Sequence, residues 1–194
     1  ILAGSSWLVG ARPGGAGKTT VMSALLAMLP DRVTVRLASP GTGWERSRPG
    51  ECIVAYEIGS GHYDGYLWGE ELRQLATLAV AGCRVVANLH ADTVTEAEAQ
   101  LVGENGIAPE AFSAFGMFIA IEVTGGWSSV RRRVNSIHHC VNGTWLPLDP
   151  VAAPSPREQA IGSFLDQCQR RNLFTVEAVR TQWLQWLAAG GVAP

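Results

Sequence analysis

The stretch between residues 5 and 29 constrains the fold more than any other part of the chain. Residues 5–10 are a short, mainly apolar run, which predicts a buried strand. Residues 11–17 include three glycines and a proline, which is typical of a loop. Residues 18–29 place apolar side chains at helical spacing, and Pro30 ends that pattern. A buried strand, a glycine-rich loop and a helix in this order predict the start of an α/β domain.

The loop carries a phosphate-binding motif. Residues 12–20 read Arg-Pro-Gly-Gly-Ala-Gly-Lys-Thr-Thr and resemble the pattern G-x-x-x-x-G-K-[S/T] between a strand and a helix. Glycines let backbone N–H groups approach phosphate oxygens, and the start of the helix adds its positive dipole end. We therefore expect phosphate contacts from Pro13, Gly14, Gly15, Ala16, Gly17, Lys18, Thr19 and Thr20.

Two residues of this motif have specific expected roles. Lys18 is expected to reach the β- and γ-phosphates, and Thr19 is expected to give its hydroxyl to Mg²⁺. Because Lys18 would serve ligand charge and not the core, its replacement is expected to leave the fold intact. Arg12 departs from the motif, because it stands where the first glycine is expected. The alternative is a glycine-rich turn that precedes a helix without binding a ligand.

Composition narrows the classes of protein to consider. The 194 residues suit one α/β domain with a small appendage, and a net charge of −2 argues against a general nucleic-acid binder. Four cysteines without C-x-x-C spacing predict free thiols in a reducing compartment. The sequence contains no run of about 18 uncharged apolar residues, so it predicts no membrane span. The chain begins with Ile1, so it is expected to be a piece of a longer protein, and residues 1–11 fit a buried strand better than a signal peptide.

Beyond the loop, the pattern of strands and helices predicts a mostly parallel sheet. Strands are expected at 33–37, 52–58 and 84–89, with helices at 70–81 and from a Thr95–Glu98 capping box through residue 101. An antiparallel extension follows, with strands at 117–123 and 130–139 and a hairpin turn at Asn142-Gly143. The expected domains are a nucleotide-binding domain at 1–147, a proline-containing linker at 148–157 and a small helical tail at 158–194. Helices at 158–171 and 176–189, with Thr175 as a cap, make up the tail.

Residues 71–92 resemble the secretion ATPase superfamily, the hexameric motors of type II and type IV secretion, type IV pili and archaeal appendages. There, a helix, a glycine and an apolar strand lead to the histidine of a His box, which maps onto His90. Residues 54–58 are similar to the family's Walker B strand, whose glutamate maps onto Glu57. The resemblance implies a RecA-like fold, ATP as ligand, Mg²⁺ held by Thr19 and Glu57, and catalytic roles for Lys18, Glu57 and His90.

The resemblance also implies partners and a location. It implies a homo-oligomeric, hexameric ring and contact with secretion or pilus machinery, in the cytoplasm or at the inner face of the membrane, without membrane insertion. Three departures from the family's pattern bear on whether this chain hydrolyses ATP. No acid occurs in residues 38–43, where the family has its Asp box, and Glu45 comes late. Gly59-Ser60 replaces an Arg-Asp pair, and residues 60–68 are an extra segment. The family's N-terminal domain, which supplies arginines to a neighbouring site, is also outside this chain.

Several residues keep more than one interpretation. Glu57 is a site carboxylate or a surface residue at a strand end, and His90 is a site residue or a core histidine. Asp64 or Glu70, in or next to the 59–69 segment, is a candidate for the missing acid, and that segment is interpreted as a lid or as an adaptor for a partner. His138, His139 and Cys140 suggest metal ligands, but adjacent strand residues point to opposite faces and converge poorly. Arg131–Arg133 form a phosphate or partner patch or a solvated strand. Trp183 and Trp186 are packing residues, a ligand platform or a docking site for a neighbouring subunit.

The function predicted from the sequence is ATP binding and ATP hydrolysis within a ring. Glu57 would position the attacking water, and His90 would sense the γ-phosphate. One of four arginines, or an arginine from the N-terminal region outside this chain, is expected to complete a neighbour's site in the ring. The four candidates are Arg12, Arg36, Arg46 and Arg48. Two alternatives stay open. One is a regulatory or assembly module with little turnover, which the missing acid favours. The other is a nucleic-acid-linked ATPase, which only the arginine run supports.

Overall fold

The computed structural model describes residues 5–61, 65–125, 129–148 and 153–191. The strands are β1 (Trp7–Gly10), β2 (Val35–Leu37), β3 (Cys52–Ile58), β4 (Tyr66–Leu67), β5 (Arg84–Leu89), β6 (Met117–Thr124), β7 (Arg131–Val141) and β8 (Thr144–Pro147). The helices are α1 (Lys18–Leu26), α2 (Glu70–Val80), α3 (Val94–Glu98), α4 (Pro109–Ser113), α5 (Pro156–Arg170) and α6 (Val176–Ala188). A 3₁₀ turn lies at Trp44–Arg46, and a π-type segment at Ala99–Glu104 continues α3.

The strands form one mixed sheet in the order β2-β3-β5-β1-β6-β7-β8, with β4 beside the end of β3. The pairs from β2 to β6 are parallel, and β1 lies between β5 and β6. All four residues of β1 are buried, so both faces of the sheet are covered here, because successive side chains point to opposite faces. The predicted α/β fold with a mostly parallel sheet is confirmed.

Parallel pairing brings the carboxyl ends of β1, β3 and β5 to one edge of the sheet. Gly10 pairs with Leu89, and Ile58 pairs with Leu89 from the other side of β5. The segments that follow these three strands begin at Ala11, Gly59 and His90. In parallel α/β sheets, ligands bind at this edge, so the order of the strands already gathers the residues of the predicted site.

The antiparallel extension is also confirmed. β6 pairs antiparallel with β7, and β7 with β8. Asn142 and Gly143 have φ values of 50° and 81° and connect β7 to β8. Positive φ at both positions is the signature of a tight hairpin turn, and Asn-Gly is the sequence that adopts it most readily.

Some predicted boundaries are wrong in detail. The second strand covers only Val35–Leu37 and not 33–37, and the regular part of α1 ends at Leu26 and not at residue 29. The N-cap of α3 is Thr93, whose hydroxyl accepts from the N–H of Glu96 at 3.2 Å. Thr95–Glu98 matches the same capping pattern, so the sequence offers two starts two residues apart, and the earlier one forms.

The chain divides into two compact units. Of the described residues, those within 5–22 and 32–148 form one unit, and those within 23–31 and 153–191 form the other. The second unit therefore includes residues 23–31 as well as residues 153–191. Its helix α5 begins at Pro156, inside the predicted linker, because Ser155 and Glu158 form a capping box.

Aromatic packing holds the second unit together. Trp183 stacks on Trp186 with ring centroids 5.0 Å apart, and Phe164 lies 5.3 Å from both rings. The indole N–H of Trp183 donates to the carbonyl of Met28 at 2.9 Å. The interpretation of the two tryptophans as packing residues is confirmed. Thr175 caps α6 as predicted, accepting from the N–H of Ala178. In the described part of the chain, no helix has the length and apolarity needed to cross a membrane.

Candidate functional site

The loop between β1 and α1 has the backbone that its sequence predicts. Gly15 and Gly17 have φ values of +70° and +95°, which glycine adopts far more readily than other residues. Gly10, just before the loop, has a different role. A Cβ there would lie 2.3 Å from the carbonyl oxygen of Ala91 and 2.5 Å from the ring of Phe118. Gly10 therefore permits close packing at the end of β1, whereas Gly15 and Gly17 shape the turn.

Lys18 begins α1 and turns its side chain inward. Its Nζ donates to the carbonyl of Ala11 at 3.1 Å and lies 3.3 Å from Oε1 of Glu57. The residue is 8% exposed. It is also the single lysine of the chain, whose other basic residues are arginines. A buried cation is stabilised by a facing carboxylate, so Lys18 and Glu57 form a buried pair without a bound ligand.

Glu57 and His90 lie together at the carboxyl edge. Oε1 of Glu57 is 3.5 Å from Nε2 of His90, and Nδ1 of His90 is 3.5 Å from Nζ of Lys18. Nδ1 also lies 3.0 Å from the carbonyl of Arg12, a contact in which the ring donates when Nδ1 carries the proton. The structure thus brings together the three residues predicted to be catalytic. Glu57 is 6% exposed and is not a surface carboxylate. The His90 side chain is 43% exposed and is not a core histidine.

A β-bulge positions Glu57. β3 and β5 pair in regular register up to Ala55, but Ile58 then pairs with Leu89, one residue earlier than regular pairing requires. The extra residue falls at Tyr56–Glu57, where Tyr56 is 49% exposed and Glu57 is buried. Bulges of this kind redirect side chains next to functional sites.

Asn88 supports this bulge, and sequence reasoning did not identify it. Its Nδ2 donates to the carbonyl of Tyr56 at 2.9 Å, and the residue is fully buried near the carboxyl end of β5. Its Oδ1 has no hydrogen-bond partner among the described residues. A buried amide within an apolar strand requires a reason, because burying polar atoms costs free energy. An asparagine inside the run Val-Val-Ala-Asn-Leu was a signal that could have marked it.

Arg12 joins the loop to the segment that follows His90. Its N–H donates to Oδ1 of Asp92 at 2.8 Å, and its Nη2 lies 2.7 Å from Oε1 of Glu96. Glu96 also accepts from the N–H of Asp92 at 2.8 Å. The Arg12 side chain therefore leaves the loop towards the start of α3. This network explains how an arginine fits where the motif has a glycine, and sequence reasoning did not foresee it.

The residues present fit a bound magnesium ion. Thr19 lies in the first turn of α1, exposed beside Lys18. Oε1 of Glu57 is buried and accepts no hydrogen bond of good geometry in the described residues. Mg²⁺ prefers oxygen ligands, and in nucleotide sites it takes few of them from the protein and the rest from phosphates and water. The described residues contain no cluster of three His, Cys, Asp or Glu side chains that could hold a metal without phosphate. That search includes the consecutive β7 residues His138, His139 and Cys140.

Residues of the 59–69 segment line a cavity next to His90. Tyr66 and Leu67 form β4, which pairs with Glu57 and Ile58 of β3. The cavity has a volume of about 270 Å³, and its lining includes Gly59, Trp68 and His90. Glu70 opens α2 with an exposed side chain, and Asp64 lies outside the described residues. The choice between lid and adaptor stays open.

The loop after β2 contains arginines where the resembled family has an acid. Arg36 forms an ion pair with Glu51 at 3.2 Å. This contact lowers the pKa of the Glu51 carboxyl, and a hydrogen bond from the N–H of Arg48 lowers it further. Arg46 and Arg48 line the same concavity, of about 480 Å³, and neither side chain has a carboxylate at ion-pairing distance in the described ranges. Of the arginines considered as contributors to a neighbour's site, Arg46 and Arg48 therefore remain free to make such a contact.

Comparison with known proteins yields likenesses among solved structures alone. No protein-family model matches the chain, and no curated protein matches it. Among solved structures, the VirB11 ATPase from the Brucella suis type IV secretion system, crystallised in complex with sulphate, is similar. The identity is 17% and the TM-score 0.49, over 71% of this chain and 49% of that one. The chain thus spans about half the length of that protein.

Proposed function

We propose that this chain binds a nucleoside triphosphate with Mg²⁺ at the loop of residues 12–20, that the nucleotide is ATP, and that the chain hydrolyses it. The observation that carries the proposal is the convergence of Lys18, Glu57 and His90 beneath a glycine-rich loop, with 3.3 Å and 3.5 Å between their charged or polar atoms. A cation that neutralises phosphate charge and a side chain that orients the attacking water are groups that phosphoryl transfer to water uses, and here the imidazole lies beside both Lys18 and Glu57.

The geometry supports a specific role for each residue. Lys18 exchanges its contacts with Ala11 and Glu57 for phosphate oxygens, while loop N–H groups and the start of α1 add partial positive charge. Glu57, released from Lys18, accepts a hydrogen bond from the attacking water and so orients it. His90 contacts both Glu57 and the Arg12 carbonyl, and is placed to detect the terminal phosphate. Bound Mg²⁺ would neutralise phosphate charge, with Thr19 and Glu57 as its protein ligands.

A second candidate is a nucleotide-binding regulatory or assembly module with little turnover. The observation that favours it is the small number of acidic side chains near Lys18. Glu57 is the one carboxylate within 4 Å of the Lys18 amine in the described residues. Glu45, the acid nearest to the missing Asp box in sequence, lies exposed in the 3₁₀ turn. A site with one carboxylate binds Mg²⁺ and phosphate but has less help in activating water.

Assembly is part of the same proposal. By the resemblance of residues 71–92, the protein acts as a ring of identical subunits within secretion or pilus machinery, in the cytoplasm or at the inner face of the membrane. Arg46 and Arg48 are the candidates on this chain to reach a neighbour's phosphates, because neither has a carboxylate at ion-pairing distance among the residues that the structure describes. A site completed in trans predicts that ATP hydrolysis per subunit rises with protein concentration.

The single lysine makes the binding test direct. Protein grown with ¹³C-labelled lysine gives NMR signals from Lys18 alone. We expect the Lys18 ε-carbon signal to shift on addition of MgATP and to stay in place on addition of adenosine, which has no phosphate. Glu57→Gln keeps the side-chain shape and removes the charge. That variant should still bind MgATP, while its single-turnover hydrolysis falls at least a hundredfold.

The outcomes separate the candidates. An unmoved Lys18 signal at millimolar MgATP contradicts nucleotide binding at this loop. Binding without hydrolysis at any protein concentration supports the regulatory module. Equal hydrolysis by wild type and Glu57→Gln removes the catalytic role of Glu57. Specific activity that does not depend on concentration, measured on a monomer confirmed by light scattering, contradicts the ring.

A further inference from the structure

Three arginines begin β7, and the second of them, Arg132, contacts the phosphate loop. β1 pairs with β6 only as far as Gly10 opposite Ala120, whereas β6 continues to Thr124. The last residues of β6 pair with the first residues of β7, so that Arg132 lies opposite Val123. This part of the hairpin therefore extends beyond the end of β1, at the edge from which the loop of residues 12–20 emerges.

The structure gives these arginines different partners. Arg133 forms an ion pair with Glu122, its Nη2 lying 2.6 Å from Oε2. Arg132 instead reaches the phosphate loop, where its Nε donates to the carbonyl of Gly15 at 2.8 Å. Its Cδ lies 3.5 Å from the position that a Cβ on Gly17 would occupy. Successive side chains of a strand point to opposite faces of the sheet, so Arg132 and Arg133 contact different partners although they are neighbours in sequence.

The Arg132 guanidinium keeps unused donors and an uncompensated charge. It has five N–H donors, and the contact with Gly15 uses one of them. In the described ranges no carboxylate lies within ion-pairing distance of it, in contrast to Arg133 beside Glu122 and Arg12 beside Glu96. A guanidinium presents a planar fork of donors that matches two phosphate oxygens.

We propose that Arg132 is a nucleotide-binding residue, which holds the loop through Nε and donates its remaining N–H groups to the di- or triphosphate of the ligand. The inference rests on the proposed function and adds a second side-chain cation, besides Lys18, from the same chain. It identifies the polyphosphate as the recognised chemistry, so inorganic pyrophosphate should bind at the same place as ATP and ADP.

The test compares matched substitutions on one strand. Arg132→Gln removes the charge at the loop. Arg131→Gln makes the same charge change one residue away, where no contact with the loop exists in the described structure. Arg132→Lys keeps the charge. Titration calorimetry with MgATP and with pyrophosphate should show about a tenfold rise in Kd for Arg132→Gln, since hydrogen bonds to charged groups are among the stronger ones. Arg131→Gln should change Kd less than twofold, and Arg132→Lys should recover most of the affinity.

Thermal unfolding with and without MgATP separates binding from loop support. The Tm of the unliganded Arg132→Gln variant reports only the lost contact with Gly15, whereas a contact with phosphate contributes to the rise in Tm that MgATP causes, so this rise should be smaller in Arg132→Gln than in wild type. Equal Kd values for Arg132→Gln and Arg131→Gln overturn the inference. So does a loss of affinity in Arg132→Gln that Arg132→Lys does not recover, because the effect is then one of loop shape. If wild-type protein binds neither MgATP nor pyrophosphate, the proposed function fails. If wild type binds and the Arg132 variants bind equally well, this inference alone fails.

Discussion

The buried pair of Lys18 and Glu57 predicts a stability effect that the motif alone does not. Their charged atoms lie 3.3 Å apart with side chains 9% and 8% exposed, so the attraction is about 5 kcal/mol at an effective dielectric constant of about 20. Lys18→Met keeps much of the apolar stem and removes the charge. Glu57 is then left buried without its cation, a change that typically costs about 3–5 kcal/mol. His90 remains 3.5 Å away and exposed to solvent, so we expect a loss near the lower end, about 3 kcal/mol.

The assay is a double-mutant cycle. Wild type, Lys18→Met, Glu57→Gln and the double variant are unfolded in urea without nucleotide, and unfolding is followed by circular dichroism. Because the double variant no longer buries the lone carboxylate, it should recover about 2 kcal/mol relative to Lys18→Met. The pair does not stabilise the unliganded protein if the free energy of unfolding of Lys18→Met is within about 1 kcal/mol of the wild-type value. The same conclusion follows if the double variant is no more stable than Lys18→Met. Lys18 would then act on ligand charge alone, as the sequence suggests.

Three further predictions test the surroundings of the site. Asn88→Ala should lower the free energy of unfolding by about 1–3 kcal/mol, because the Tyr56 carbonyl in the bulge loses its donor. The same variant should slow ATP hydrolysis, because Glu57 in the bulge moves. Urea unfolding measures the first effect, and single-turnover rates measure the second. Arg36 lowers the pKa of Glu51, so this carboxylate stabilises the fold at pH values above its unfolded-state pKa. That stabilisation is lost as the pH falls through the folded-state pKa. Between pH 6 and pH 3, the Tm should therefore fall less for Glu51→Gln than for wild type. Burial raises the pKa of Cys52 to about 11, so mass spectrometry after iodoacetamide treatment at pH 8 should find Cys52 unmodified in the native protein and modified in urea.

The sequence predicts most of what local pattern determines. The apolar strands, the glycine-rich loop and the strand-end positions of Glu57 and His90 are all readable, because a parallel sheet brings its carboxyl ends together. What it does not predict depends on pairs distant in the chain. Arg12 meets Asp92 across 80 residues, and Asn88 meets the Tyr56 carbonyl across 32. No periodicity encodes these contacts. The bulge in β3 is equally invisible, since one residue slipping in register leaves the apolar pattern almost unchanged.

The outer strands of the sheet have a consequence for aggregation. β2 is three residues long and carries Arg36 between two exposed apolar side chains. At the other side, β8 has four residues and ends at Pro147, which has no N–H to offer a further strand. Short, charged or proline-terminated outer strands resist pairing with a second chain. Copies of this protein that meet at high concentration should therefore associate through side-chain surfaces and resist the stacking of strands that leads to fibrils.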